Sequence, residues 1–169
     1  MSVKQWIGAA DSVAQITRVS FSAYTAGVTY KIICNNKVVS YVAALSTSAD
    51  VLQGLVSAWN ASAYPEVLEA IAEYDSVTPA VKLTSRVAGT PFTVTGASSG
   101  APTATVTASQ AASGPNDFNT AANWLGGVAP IANDDILIKD STVSILYGLD
   151  QSSTAYATIK VEASFTGQI

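Results

Sequence analysis

The chain has 169 residues, room for one large domain or two small ones with a real core, yet only 12% of them are charged and the net charge is −4 at pH 7. Histidine is absent, which excludes the usual general base, the usual zinc ligand and the serine-triad partner. The eight Lys and Arg are scattered, so no cluster exists to neutralise phosphates and no nucleic-acid partner is expected.

No apolar run approaches the roughly 18 residues of a membrane span, so no membrane partner is expected either. A mean hydropathy of +0.31 is high for a soluble monomer, and part of the surface is therefore expected to be covered by other proteins. The opening Met1-Ser2-Val3-Lys4-Gln5-Trp6 lacks the basic-then-hydrophobic plan of a secretory signal and reads as the unprocessed start of a product made in the cytoplasm. The single Cys34 lies in an apolar run and reads as a small buried hydrophobe.

Residues 1–13 are weakly patterned and read as a frayed end, with an arm docking through Trp6 and Ile7 as the alternative. Residues 14–22 alternate as a strand. Residues 28–34 and 38–45 are β-branched and aromatic runs around Asn35-Asn36-Lys37, a tight hairpin because asparagine tolerates left-handed backbone. Thr47 then caps a helix with Asp50 three positions on, as in a capping box, and Leu52, Leu55, Val56 and Trp59 form its apolar stripe. Residues 60–65 end it, with Pro65 barring continuation.

Residues 67–74 fit both helical and alternating patterns and are assigned as a strand, since a clear strand at 81–87 follows a short turn. Residues 91–95 form another short strand. The breaker cluster at 96–102 precedes residues 103–109, an extended closing strand or a linker.

Residues 114–135, GPNDFNTAANWLGGVAPIANDD, separate this pattern from short β-runs at 136–139, 142–147 and 155–162. Their order suggests entry into a β-structure: Trp124 covers one end of a core, Gly126-Gly127 turn the chain, and Pro130 sits where no ladder bond is needed. An ordinary loop with one buried tryptophan is the alternative. The expected fold is mostly β with one main helix: an α+β module over 1–96, a linker or extended strand over 97–115, and a β-helix- or sandwich-like all-β unit over 116–169. Structural or interface candidates are Trp124, Pro130, Ile136, Ile138, Ile145, Tyr147, Tyr156 and Phe165.

Chemistry finds little support in these residues. Asp117, Asp134, Asp135 and Asp140 match no calcium-loop spacing and read as turn aspartates. Glu66, Glu69 and Glu73 read as a solvated face, and Gly126-Gly127 lacks the Lys and Ser/Thr of a phosphate loop. Tyr147 and Tyr156 could belong to a carbohydrate-binding face, but packing is the better reading. No enzyme, metal or cofactor is expected.

The first hundred residues resemble a module of tailed-phage structural proteins. The likeness rests on Val28-Thr29-Tyr30-Lys31-Ile32, the hairpin into residues 38–43, the helix after Ser46-Thr47 and the close Ala88-Gly89-Thr90-Pro91-Phe92-Thr93-Val94. The junction resembles the entry motif of β-helical surface proteins of phages and bacteria through Asn123-Trp124, the glycine pair, Pro130 and Asp135. Such proteins usually run through many rungs, more than this chain has after Asp135. Together these resemblances imply a virion structural protein, foremost a capsid decoration (cement) protein, with a tail or fibre component or a host-glycan-binding module as alternatives. They also imply the major capsid protein or other virion proteins as partners, and a homotrimer with its contacts in 136–147 and 155–165.

Overall fold

A computed structural model describes residues 2–169 as a mostly β protein with a single long helix. Its contacts divide into two units, one of Ala14–Ala112 and one in which the N-terminal residues up to Val13 join Ser113–Ile169.

The Ala14–Ala112 unit holds two antiparallel sheets. Strands β2 (Ile16–Phe21), β5 (Ala70–Asp75), β6 (Ala80–Ser85) and β8 (Ala104–Gln110) are ordered β5-β6-β2-β8, while β3 (Thr29–Cys34), β4 (Lys37–Val42) and β7 (Val94–Ser98) are ordered β4-β3-β7. The β3–β4 hairpin is the one read from sequence: Asn35 and Asn36 carry φ of 45° and 68°, a pair of left-handed residues matching the twist of the flanking strands. Alternation on β3 sends Tyr30, Ile32 and Cys34 into a core shared with Val19, Leu83, Leu52, Leu55 and Trp59. Each fully buried large side chain there contributes roughly 1.5–3 kcal/mol. Burial also pushes the Cys34 thiol above its ordinary value, leaving it a poor nucleophile.

Helix α1 (Ser48–Asn60) packs against β4 and β5. Thr47 caps it, its Oγ1 accepting from the Asp50 N–H at 3.2 Å. Asp50 does not close the reciprocal half of a capping box. Its carboxylate accepts instead from the Ala44 and Leu45 N–H groups and the Tyr41 hydroxyl, each at 2.9 Å, tying the end of the hairpin to the helix start. Gly54 lets α1 approach β4, since a Cβ there would lie 2.5 Å from the Tyr41 ring. At the other end the Trp59 indole N–H donates to the Ala70 carbonyl, and the Asn60 side chain pairs with both backbone groups of Ala72.

Two expected elements shift, and one open choice is decided. The stretch at 67–74 opens with a 3-10 turn, Val67–Glu69, because the N–H groups of Val67 and Leu68 both bond to the Tyr64 carbonyl; β5 starts only at Ala70. Phe92 lies outside β7 because buried Gln15 takes its backbone, donating to the Phe92 carbonyl at 2.7 Å and accepting from its N–H at 3.1 Å. The segment at 103–109 is a strand and no linker: β8 pairs along the whole of β2. Gly96 on β7 accommodates this neighbour, as a Cβ there would sit 2.5 Å from the Ala104 Cβ.

In the other unit, β1 (Val3–Gln5), β9 (Asp135–Ile138) and β10 (Thr158–Val161) form a parallel sheet ordered β1-β9-β10. The N-terminal residues are therefore a paired strand and no frayed end. A boundary after 96 is replaced by crossings at Val13 and Ser113, whose backbones bond to each other at 2.7 and 3.3 Å. The expected strand at 142–147 is an extended run outside any sheet. Its backbone is held laterally: Ile145 donates to Gln168, Leu146 and Tyr147 donate to Asn116, and Phe118 donates to Tyr147. These bonds tie the run to the loops at residues 116–118 and Gln168, and Ile145 packs in one core with Ile136 and Ile138 of the short parallel stack.

Candidate functional site

The two ends of that parallel stack differ. At the β1 end, Trp6 and Trp124 are both fully enclosed and bridge each other's backbones, with ring centroids 5.3 Å apart at 77°. Phe118 meets Trp124 edge-on at 4.8 Å. Both indole N–H groups are satisfied, Trp6 by the Val143 carbonyl and Trp124 by that of Phe118. Asn123, also fully buried, accepts from the Ala10 N–H at 2.8 Å and donates to the Gly114 and Asp117 carbonyls at 2.7 and 2.8 Å. The Leu125 N–H reaches the Gln5 carbonyl on the outer side of β1, so this end of the sheet is closed by the Asn123-Trp124-Leu125 turn.

Buried Asp134 adds a clamp. Its Oδ1 accepts from the Ser2 hydroxyl and N–H at 2.8 and 3.1 Å, and its Oδ2 from the Ile131 N–H. These bonds, the Ser2 hydroxyl foremost, hold its carboxyl below the ordinary aspartate value. A carboxylate stabilised in the folded state contributes fully above the unfolded value of about 4 and loses that contribution as pH falls through the folded value. Asp134→Asn is thus expected to flatten the acid side of this unit's stability profile below pH ~5. Chemical unfolding followed from pH 7 down to 3 checks this, and an unchanged acid limb in the variant would contradict it.

The β10 end is open. Ile136 and Ile138 on β9 are buried, and Ile159 and Val161 sit beside them in register on the same face of the sheet, yet are 64% and 52% exposed. Beneath them lies an apolar cavity of about 250 Å³ lined by Phe118, Ile145, Leu149, Tyr156 and Ile169 among others. Such an end can bind through apolar contact and through strand pairing; nothing in it points to proton transfer.

The sequence candidates fall into distinct places. Trp124, Ile136, Ile138 and Ile145 are core residues of this unit, with Tyr156 and Phe165 packed against them. Ile136 and Ile138 of β9 and Ile145 of the extended run, three isoleucines expected near an oligomer axis, thus lie in the core of this unit. Tyr147 is half-buried and its backbone bridges Asp117; Pro130 is half-buried beyond the glycine pair, whose φ values are 89° and 69°. The Tyr156 hydroxyl donates to Gln151 Oε1 at 2.6 Å while its ring packs on Phe118, an arrangement of core packing. Asp117 accepts from Asn119, Asp135 from the Thr158 hydroxyl, and Asp140 lies 3.4 Å from the Lys139 amine. Glu73 pairs with Lys82 at 3.0 Å, and Glu66 stands 4.0 Å from Lys37.

Sequence reasoning missed Asn123 as a buried junction, Phe118 as a ring partner, Ser2 as the ligand of Asp134, and Ile159 and Val161 as the exposed pair. The period-2 spacing of Ile159 and Val161, identical to that of Ile136 and Ile138, signals a shared face of the sheet but carries nothing about their exposure. Comparison with protein-family models, curated proteins and solved structures gave no match.

Proposed function

We propose that the chain is a virion structural protein of a tailed phage, foremost a capsid decoration protein acting through protein–protein contacts. The observation that carries this reading is the asymmetry of the C-terminal unit. One end is closed by two buried tryptophans, whereas the other presents Leu149, Ile159, Val161 and Ile169 around an apolar cavity. A contiguous exposed apolar surface is characteristic of an interaction site. The likeness of the first hundred residues to phage structural modules, and of the junction to β-helical entry motifs, supports a virion as the place of that interaction. The major capsid protein, or another virion protein, is the partner in this reading.

The test is sedimentation of purified protein with empty capsids of the parent particle, followed by electron microscopy with the protein labelled. Saturable binding and regular label on the head are expected. Label confined to the tail, or binding to a glycan array with none to capsids, would replace the decoration role with a tail or glycan-binding one.

A further inference from the structure

We infer that the free edge of β10 is a self-association surface on which a second copy of this chain docks its own β10, antiparallel about a two-fold axis at Val161. The edge groups follow from the ladder. The Glu162 N–H donates to the Ile138 carbonyl at 3.0 Å, and Ile159 and Val161 stand in register with Ile136 and Ile138. Backbone groups of alternate residues point to the same side of a strand. Those of Lys160 and Glu162 thus face β9, and those of Ile159 and Val161 face away from it, where no further strand stands among the described residues. Such an edge is a template for another strand unless charge or a covering segment blocks it.

Charge selects the occupant and the register. Lys160 and Glu162 flank Val161 on the outer face of the sheet, Lys160 exposed and Glu162 half-buried, and pair with each other at 2.8 Å within the chain. With Val161 opposite its own copy, two N–H···O bonds form between the valines, and Lys160 of each copy stands opposite Glu162 of the other. Those are non-hydrogen-bonded positions, where facing residues come closest, about 4.5 Å between Cα atoms. Shifting the axis to Lys160 would instead set two lysines face to face, which is unfavourable. An axis perpendicular to the sheet keeps Ile159 and Val161 of both copies on the core side. The apolar face therefore runs on across the junction, and the open end of each stack is covered by the other.

This pairing occupies the same open end that carries the virion reading, so a dimer that holds would move the capsid contact to the rest of the molecule; it is read from free copies without particles, so its failure leaves the capsid test standing. Light scattering of the full chain across micromolar concentrations should give a mass of about twice 17.3 kDa that falls to one chain on dilution. Lys160→Glu alone, or Glu162→Lys alone, should weaken the pair by about tenfold or more through facing like charges. The double exchange Lys160→Glu/Glu162→Lys should restore it. Because the surface ion pair contributes little to folding, unfolding midpoints of dilute samples should stay unchanged, which separates lost pairing from lost structure. A monomer at every concentration, the three-fold mass implied by the phage resemblance, or a dimer indifferent to the single reversals would each overturn the inference.

Discussion

Trp124→Ala is expected to unfold the unit formed by the two chain ends while the Ala14–Ala112 unit keeps its own transition. The ring is fully enclosed, contacts Trp6 and Phe118 edge-on, and uses its N–H on the Phe118 carbonyl. Truncating such a ring costs about 3–5 kcal/mol, a large share of the roughly 5–15 kcal/mol that holds a domain together. The remaining rings would surround a void too apolar to be filled by water. Calorimetry should show the loss of one transition only. Two unshifted transitions would place the indole outside the structural centre of its unit.

The second large effect concerns the N-terminal arm. Removal of residues 2–13 takes away β1, the Trp6 ring and the Ser2 bonds to Asp134 together, leaving one side of β9 without a partner. The residues from Ser113 onward are then expected to lose their fold, with loss of fixed near-ultraviolet signal and early proteolysis there. The excised segment Ala14–Ala112, which holds its own core and both antiparallel sheets, is expected to fold alone and melt cooperatively. A C-terminal unit that stays protease-resistant without the arm would contradict this, as would an excised segment with no cooperative transition.

What the sequence made legible was local. The Asn35-Asn36 turn, the Thr47 cap and the Leu52, Leu55, Trp59 stripe depend on neighbours within a few residues, so their chemistry can be read in a short window. The role of Trp6 could not be read that way, because its partners at Trp124, Leu137 and Val143 lie more than a hundred positions along the chain. For the same reason Gln15 was invisible as the residue that draws Phe92 out of β7. The β-pattern at 142–147 was real, but its extended backbone bonds to loops at Asn116 and Gln168 and to no strand. Of the candidate site, the junction tryptophan was legible from its setting. The exposed pair Ile159 and Val161 was not, since burial and exposure of identical ladder positions depend on which side of the sheet is closed.

Amide hydrogen exchange on the full chain tests most directly whether both chain ends build one unit. The Trp6 N–H donates to Leu137 and the Ile7 N–H to Asn123, at 2.9 and 2.8 Å. The expected result is that these two amides are protected to the same degree as those of Asp135–Ile138, and that all lose protection together in Trp124→Ala. Free-peptide exchange at Trp6 and Ile7 beside a protected Asp135–Ile138 strand would contradict it.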